Sequence, residues 1–427
     1  MRIAFISQPR DAIEAEGTQN GSVAIVTWEL ARRLAQRHDV TVHAPRARGQ
    51  VEEERGNENV RVRRTSRVFR RSHKVMDLGT GLLGLSPPYF AWSAFFHEYA
   101  AAVAAQLARD SPDVIHIQVY SQFIPAMRRA VPKARIVLHT HDELLTRLDP
   151  RIVDRRLALA DAVVTCSEFV TRRLQARFPR RAARIHTIGN GVDTERFHPV
   201  GAAQVVALPR HQVLFVGRVS PEKGVHVLAR AFEAVLAQVP DAFLTVIGSA
   251  GLLPYNQIRL LESDPHVASL REFYGSGLLQ RIRKQVLEAR HGYVDAICSS
   301  MSPQTRARVE FRGPSSHEEL PALYQGASLL VAPSLCEEPF GLPLAEAMAS
   351  GLPVIASRAG GMCGIVEEGR TGRLVERGDV RALAEAMISL LRDPQTLAGM
   401  GRASREAAET RFGWTAAAER LENVYQH

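Results

Sequence analysis

Long hydrophobic runs are absent from this chain of 427 residues, and no segment approaches the roughly 20 apolar residues that a membrane-spanning helix needs. The N-terminus also lacks the charged, apolar and cleavable regions of a signal peptide, because a strand-like pattern starts directly at Arg2. Both absences argue against an integral membrane protein and predict a cytoplasmic one.

Cysteine is scarce, and the motifs of several enzyme classes are missing. The four cysteines have no paired spacing, which argues against a disulfide framework and against a zinc cluster. The chain has no Walker A lysine motif, no zinc-hydrolase helix motif and no Asp-x-Asp pair of the kind that suggests a metal-clamped nucleotide sugar. We therefore predict a protein that requires neither a metal nor a bound cofactor.

What the chain does contain is an ordinary globular composition, with 45% hydrophobic and 23% charged residues. Its length favours two domains. The formal net charge of +9 suits nucleic acid, anionic lipid or phosphorylated small molecules, and does not choose among them. Since neither an RNA-binding aromatic motif nor a DNA-reading element is present, nucleic acid is not expected as a partner.

Short apolar runs alternate with amphipathic stretches along the whole chain, a pattern typical of parallel sheets covered by helices. In the first half, strands are predicted at residues 3–7, 40–44, 114–118, 136–140, 162–166 and 185–188. In the second half, they are predicted at residues 213–217, 244–248, 309–311, 329–333, 354–357 and 373–375. Residues 190–209 lack periodicity and are interpreted as an interdomain linker beside a cleft.

Two segments depart from this rhythm. Residues 61–74 carry seven basic residues and precede an apolar stretch that includes Trp92, Phe95 and Phe96. They are interpreted either as an acceptor or anionic-membrane contact, or as a solvated loop followed by ordinary core. Residues 250–308 are interpreted as an insertion within the second domain. Residues 79–84 match a dinucleotide-binding fingerprint, which is rejected because no strand precedes it and Pro87-Pro88 follows.

The most informative segment, residues 338–349, follows a predicted strand. Pro343 suits the first turn of a helix, and Gly341 lets a ligand approach the backbone just before it. A diphosphate there would accept the free N–H groups at the positive end of the helix dipole. Glu338 before the helix and Glu346 inside it are positioned to bond hydroxyls on opposite sides of that diphosphate.

Two cations supply the complementary charge. Arg218 and Lys223 follow the predicted strand at residues 213–217, and the carboxyl end of a strand faces the ligand crevice of an open α/β sheet. Cations placed there would stabilise a diphosphate leaving group.

With these motifs the chain closely resembles the retaining glycosyltransferases of family 4, which have the GT-B fold. The resemblance covers nearly the whole chain and rests on residues 217–224 and 338–346 together with four shorter motifs: Asn20-Gly21-Ser22, Asn190-Gly191-Val192-Asp193, Gly360-Gly361 and Arg411-Phe412-Gly413-Trp414. It implies two Rossmann-like doubly wound domains that face a central cleft. The first would comprise residues 1–195 plus about 411–427, with the terminal helix crossing back to it, and the second residues 205–410.

The resemblance also implies roles for particular residues. Arg218 and Lys223 would grip the donor diphosphate, Glu338 would touch sugar hydroxyls, and Glu346 would hold the ribose. A histidine beside the transferred sugar is expected at His141, which lies past the strand end, with His139 in reserve. Further donor contacts are expected at Gly21, Ser22, Arg312, Phe340, Gly341 and Leu342. Two positions differ from the family pattern: Asn20 precedes Gly21 where two adjacent glycines are usual, and Gly364 stands where a glutamate is common.

The predicted function is therefore a retaining, metal-independent transfer of a hexose or amino-hexose from a nucleotide sugar to an acceptor hydroxyl, in glycan, glycolipid or natural-product biosynthesis. A UDP-sugar is the expected donor. The alternative is a nucleotide-sugar epimerase or a phosphorylase on the same fold. Residues 61–96 are considered for a peripheral contact with the inner membrane face.

Overall fold

The computed structural model describes residues 1–15, 19, 21–56, 58–66, 70–85, 87–200, 211–275, 277–284 and 292–427. The chain divides into two compact units, Met1–Gly191 with Trp414–His427, and Val192–Gly413. The terminal segment therefore belongs to the first unit. Residues 201–209 of the predicted linker lie outside the described part of the chain.

The first unit is built on an eight-stranded sheet in the order β3-β4-β2-β1-β5-β6-β7-β8. Neighbouring strands are parallel except β3, which runs antiparallel to β4. The strands are β1 Arg2–Ile6, β2 Asp39–Pro45, β3 Glu53–Arg55, β4 Arg61–Thr65, β5 Val114–Gln118, β6 Arg135–Thr140, β7 Ala162–Thr165 and β8 Ile185–Thr187.

Helices cover this first sheet. They are α1 Ser22–Leu34, α2 Arg70–Leu82, α3 His97–Asp110, α4 Ile124–Ala130, α5 Leu144–Arg147, α6 Pro150–Leu157, α7 Glu168–Arg177 and, from the chain end, the helix Trp414–Gln426, with short 3₁₀ turns at Tyr89–Ala91, Ser121–Phe123 and Pro179–Arg184. The central strands are buried along their whole length, which is why they read as continuous apolar runs in the sequence.

The second unit contains a six-stranded, fully parallel sheet in the order β11-β10-β9-β12-β13-β14. Numbered within the unit, this is the order 3-2-1-4-5-6 of doubly wound folds, with the switch point between β9 and β12. The strands are β9 Gln212–Val216, β10 Phe243–Ile247, β11 Val309–Gly313, β12 Leu329–Ala332, β13 Val354–Ser357 and β14 Gly372–Val375.

The helices of the second unit are α8 Val225–Gln238, α9 Tyr255–Leu261, α10 Pro265–Ala268, α11 Arg271–Tyr274, α12 Leu278–Ile282, α13 Gly292–Ser300, α14 Pro303–Arg306, α15 Leu320–Gln325, α16 Leu342–Ala349, α17 Val380–Leu391 and α18 Pro394–Arg411, with 3₁₀ turns at Pro221–Lys223 and Gly360–Gly364. The terminal helix Trp414–Gln426 is α19. Helices α9 to α14 occupy the segment interpreted as an insertion. Several side chains of this segment, including Ile258, Leu270 and Tyr274, are buried in the same core as α8.

All twelve predicted strands are present, with ends that differ by at most two residues. The prediction missed β3 and β4, so the interpretation of residues 61–65 as a solvated loop is wrong. Every second residue of β4 faces inward, and Arg64 is 1% exposed. Its guanidinium donates to the Ile13 carbonyl at 2.9 Å and to Glu54 at 2.8 Å, so the buried charge is paired.

The aromatic part of the predicted membrane contact is also wrong. Phe95 and Phe96 are buried, where they pack against the ring of His73, and Trp92 alone of the three predicted aromatics is exposed. Residues 79–84 lie at the end of α2 and beyond it, so no strand precedes them, as the rejected fingerprint would require. Within the described residues, no helix has both the length and the apolar character needed to cross a membrane.

Candidate functional site

The two loops that leave the switch point of the second sheet are joined directly. Lys223 follows β9 and Glu338 follows β12, and the Leu335 amide donates to the Glu222 carbonyl at 2.9 Å. Gly224 has a φ of 73°, and a Cβ there would lie 1.9 Å from the Pro333 carbonyl oxygen. A side chain at position 224 would therefore push the two loops apart. Such a junction at a switch point is where open α/β sheets bind their ligands.

Lys223 and Glu338 form an ion pair across these loops. The Lys223 Nζ lies 2.5 Å from Glu338 Oε1, and the Ser334 hydroxyl donates to the same oxygen at 2.7 Å. Burial of Glu338 favours the neutral acid, but Lys223 and the Ser334 hydroxyl outweigh burial and lower the pKa of the carboxyl. Burial likewise disfavours the charged form of Lys223, but the effect of Glu338 is larger than that of burial and raises the pKa of the amine. Both groups are therefore charged at neutral pH.

Both members of this ion pair retain atoms that can hydrogen-bond a ligand. The side-chain hydrogen bonds of Glu338 within the described residues all use Oε1, so Oε2 remains available as an acceptor. Lys223 has three N–H donors, its side chain is 25% exposed, and Glu338 is the partner that the structure shows for it. Arg218 is exposed and has no hydrogen bond or ion pair in the described part of the chain. Its charge contributes to lowering the pKa of Glu338, so the guanidinium lies near the pair.

Helix α16 begins next to Glu338 with an uncapped N-terminus. Gly341 precedes it with a φ of 113°, no side chain caps it, and Pro343 lies in its first turn. The preceding loop is held by Gly361, whose amide donates to the Glu338 carbonyl at 2.6 Å. A Cβ on Gly361 would lie 2.2 Å from the Pro339 carbonyl oxygen, which accounts for the glycine pair at 360–361. The arrangement offers partial positive charge to an anion beside Lys223.

Glu346 is buried inside α16 and is held by two side chains that the sequence did not indicate. Its Oε1 lies 2.9 Å from His317 Nε2, and its Oε2 accepts from the Tyr324 hydroxyl at 2.9 Å. His317 Nδ1 in turn lies 3.2 Å from a guanidinium nitrogen of Arg196. Each carboxylate oxygen retains a lone pair, so Glu346 can still accept a hydrogen bond from a ligand hydroxyl.

The other predicted donor contacts are dispersed. Phe340 and Leu342 are buried on either side of Gly341. Arg312 is exposed on the edge strand β11, and no hydrogen bond or ion pair joins it to Lys223 or Glu338. In the first unit, Gly21 has a φ of 96° and precedes α1, which Ser22 begins. Asn20 lies outside the described residues.

The first unit carries the two candidate histidines at the carboxyl end of β6, one strand beyond the switch point between β1 and β5. His139 lies on β6 and is fully buried, whereas His141 is the first residue beyond that strand. His141 Nε2 lies 2.6 Å from Gln118 Oε1, and its Nδ1 is buried without a partner among the described residues. Burial lowers the pKa of His141 to about 3, so its imidazole is neutral at physiological pH.

Val119 separates Gln118 from Tyr120 in a strained conformation. Its φ is 67°, in a region that β-branched residues rarely adopt because it costs about 1–3 kcal/mol. Its amide donates to the His139 carbonyl at 2.8 Å. Strain of this kind is retained where the surroundings enforce it. Here it lies next to the glutamine that holds His141.

Two doubly wound units, the second with cations and an uncapped helix at its switch point, define the GT-B class of glycosyltransferases. Residues 23–196 match the model of Glycosyltransferase Family 4, and residues 297–407 match that of Glycosyl transferases group 1. The chain belongs to this family of glycosyltransferases.

Relatives and solved structures agree with that assignment. A D-inositol 3-phosphate glycosyltransferase of Streptomyces avermitilis is 32% identical over 275 residues, which are 63% of this chain and 52% of the relative. Spore coat protein SA of Bacillus subtilis is 25% identical over 342 residues, which are 77% of this chain and 82% of the relative.

Among solved structures, sucrose-phosphate synthase from Thermosynechococcus elongatus has a TM-score of 0.72 at 25% identity, covering 100% of this chain and 98% of that one. Anabaena Alr3699/HepE in complex with UDP-glucose has a TM-score of 0.64 at 19% identity, covering 100% and 99%. The fold is thus shared along the whole chain.

Proposed function

We propose that this glycosyltransferase transfers a hexose or amino-hexose from a nucleotide sugar, a UDP-sugar in the first instance, to an acceptor hydroxyl, with retention of the anomeric configuration and without a metal. The observation that carries the proposal is the cluster of Arg218, Lys223 and the uncapped start of α16. Three sources of positive charge at one switch point suit a diphosphate. The relative Alr3699/HepE was solved with UDP-glucose, which supports this choice of donor class.

In the proposed reaction, the bond between the anomeric carbon and the diphosphate oxygen breaks while the acceptor hydroxyl attacks from the same face. The departing phosphate oxygen takes the hydroxyl proton, so no protein nucleophile is assigned. Arg218 and Lys223 stabilise the negative charge that develops on the diphosphate. The Oε2 of Glu338 accepts a hydrogen bond from a sugar hydroxyl, and Glu346 accepts one from the ribose.

The function is tested first by donor binding and then by product stereochemistry. In a panel of UDP, GDP, ADP and dTDP sugars, we expect a UDP-sugar to raise the melting temperature, since a ligand at 100 times its Kd adds about 2.7 kcal/mol. With that donor and an acceptor, NMR of the product should show the donor's anomeric configuration. An inverted product would contradict the retaining mechanism. Conversion of the donor without acceptor would instead identify an epimerase.

Metal independence gives a second prediction. Because Arg218, Lys223 and the α16 N-terminus supply the charge in the proposed mechanism, we expect kcat to be unchanged after dialysis against EDTA. The measurement is the transfer rate with EDTA, with and without added Mg²⁺ or Mn²⁺. A rate that collapses in EDTA and returns with one of the ions would contradict the proposal.

We also propose a peripheral contact with an anionic membrane, restricted to the exposed part of residues 61–96. Val75, Met76 and Leu83 are 69%, 46% and 69% exposed, and the exposed Arg71 and Lys74 lie in the same segment. Apolar side chains flanked by cations suit the interface of an anionic bilayer.

Vesicle binding tests this contact. We expect the protein to cosediment with vesicles that contain phosphatidylglycerol and not with pure phosphatidylcholine, and we expect the double variant Val75→Ser, Met76→Ser to lose that binding. Val51→Ser, at a residue 53% exposed elsewhere in the first unit, is the matched control and should keep it. Absence of binding to either vesicle would exclude the contact.

A further inference from the structure

A buried polar network in the first unit ends at the candidate catalytic histidine. The Tyr425 hydroxyl on α19 lies 2.7 Å from His116 Nδ1, and His116 Nε2 lies 3.2 Å from His139 Nδ1. The ring of His139 packs against that of His141, with centroids 4.1 Å apart and planes inclined by 33°. Gln118 closes the network through its bond to His141. Two neighbouring strands and the terminal helix thus contribute to the surroundings of one side chain.

The hydrogen positions in this network follow from its donors and acceptors. Burial raises the pKa of Tyr425 well above its ordinary value, so the phenol keeps its proton, and His116 Nδ1 is its acceptor among the described residues. Burial lowers the pKa of His116 to about 3, so this imidazole is neutral and carries its hydrogen on Nε2. It therefore donates to His139 Nδ1, which leaves the hydrogen of His139 on Nε2.

Gln118 decides the tautomer of His141 in the same way. Because a carbonyl oxygen only accepts, the His141 nitrogen that faces Gln118 Oε1 is the one that carries the hydrogen. The Nδ1 atom of His141 then has a lone pair, and it is buried without a partner in the described part of the chain. A lone pair held in this way is ready to accept a hydrogen bond from a hydroxyl.

We propose that Gln118 is a positioning residue that fixes His141 as the Nε2–H tautomer, so that Nδ1 accepts a hydrogen bond from a sugar hydroxyl. In the second part of the proposal, Tyr425 of the terminal helix fixes the tautomers of His116 and His139, and His141 packs against the ring of His139. The first part rests on the proposed function, because it gives His141 a contact with the substrate. The strained Val119 directly follows Gln118 in the chain.

The tautomers are measured by NMR of the full chain labelled with ¹⁵N-histidine, with the His141 signals assigned by their loss in His141→Ala. We expect His141 to show a protonated Nε2 and a non-protonated Nδ1, and Gln118→Met to produce a mixture of both tautomers. We expect Tyr425→Phe to introduce the Nδ1–H form of His116. A protonated Nδ1 on His141 in the unmodified protein would overturn the proposal, and so would variant spectra that match those of the unmodified protein.

Kinetics provide the second readout. We expect Gln118→Met to lower kcat about tenfold or more with an unchanged Kd for the donor nucleotide, since a misplaced group near the reacting atoms has costs of this order. The matched control is Gln106→Met, because Gln106 Oε1 bonds the buried His43 at 2.8 Å elsewhere in the same unit. It should leave kcat and the His141 signals unchanged.

The outcomes separate the two proposals. An active enzyme in which Gln118→Met retains full kcat contradicts the role of Gln118 and leaves the proposed function intact. A protein that transfers sugar from none of the donors contradicts the proposed function, while the NMR spectra still test the tautomers on their own.

Discussion

Replacing Lys223 by alanine is expected to lower kcat about 100- to 1000-fold, the usual loss when a single preorganised donor to a developing negative charge is removed. The ammonium lies 2.5 Å from Glu338 and is partly exposed beside the start of α16, so the substitution removes the central cation of the site. The measurement is single-turnover transfer under saturating donor. Arg402→Ala removes a cation that is exposed on α18 in the same unit, and it should leave kcat unchanged.

The same variant has a predicted signature in stability. In the unmodified protein the pKa of Glu338 is lowered, so its contribution to stability is present above the unfolded-state pKa and is lost as pH falls through the folded pKa. Without Lys223, the largest group that opposes the effect of burial on Glu338 is lost, so the ionised carboxyl contributes less stability. We therefore expect the difference in melting temperature between the two proteins to be larger at pH 7 than at pH 4. Near-normal turnover in a folded Lys223→Ala protein would contradict the proposal that Lys223 binds the diphosphate.

Replacing Trp414 by alanine is expected to destabilise the first unit by about 3–5 kcal/mol, the range for truncating a large buried aromatic side chain. Trp414 is 3% exposed at the start of α19. It fills the space above Gly191, where a Cβ would lie only 2.5 Å from the indole. In hydrogen exchange, strands β1 to β8 should lose protection, while strands β9 to β14 should keep theirs.

Trp92→Ala is the matched control for that prediction, because it makes the same chemical change in the same unit at a residue that is 36% exposed. We expect it to cost no more than about 1 kcal/mol. An equal loss of unfolding free energy in the two variants would contradict the view that α19 completes the core of the first unit.

The sequence located the strands well because a parallel strand is buried on both faces and therefore appears as a short apolar run between turn residues. β4 escaped this reasoning for a physical reason, since Arg61, Arg63 and Arg64 interrupt the apolar pattern. The buried Arg64 is tolerated because Glu54 and the Ile13 carbonyl accept its hydrogen bonds, and both partners come from elsewhere in the chain.

For the candidate site too, local sequence pattern and long-range pairing have to be distinguished. Local pattern singled out Arg218, Lys223, Glu338 and Glu346 as candidates, since the first three follow a strand and Glu346 lies about one turn inside a helix. It could not show that His317 and Tyr324 hold Glu346, or that Gln118 holds His141, because no spacing in the sequence links these partners.

By itself, then, the sequence determined the order of twelve of the fourteen strands and the loops that carry charge, since apolar periodicity and turn residues act over a few neighbouring positions. Which buried polar groups pair, and which nitrogen of a histidine carries its hydrogen, was decided only by the tertiary structure. Such pairs form between residues as distant as His116 and Tyr425, and their cost or benefit depends on burial that only the folded chain creates.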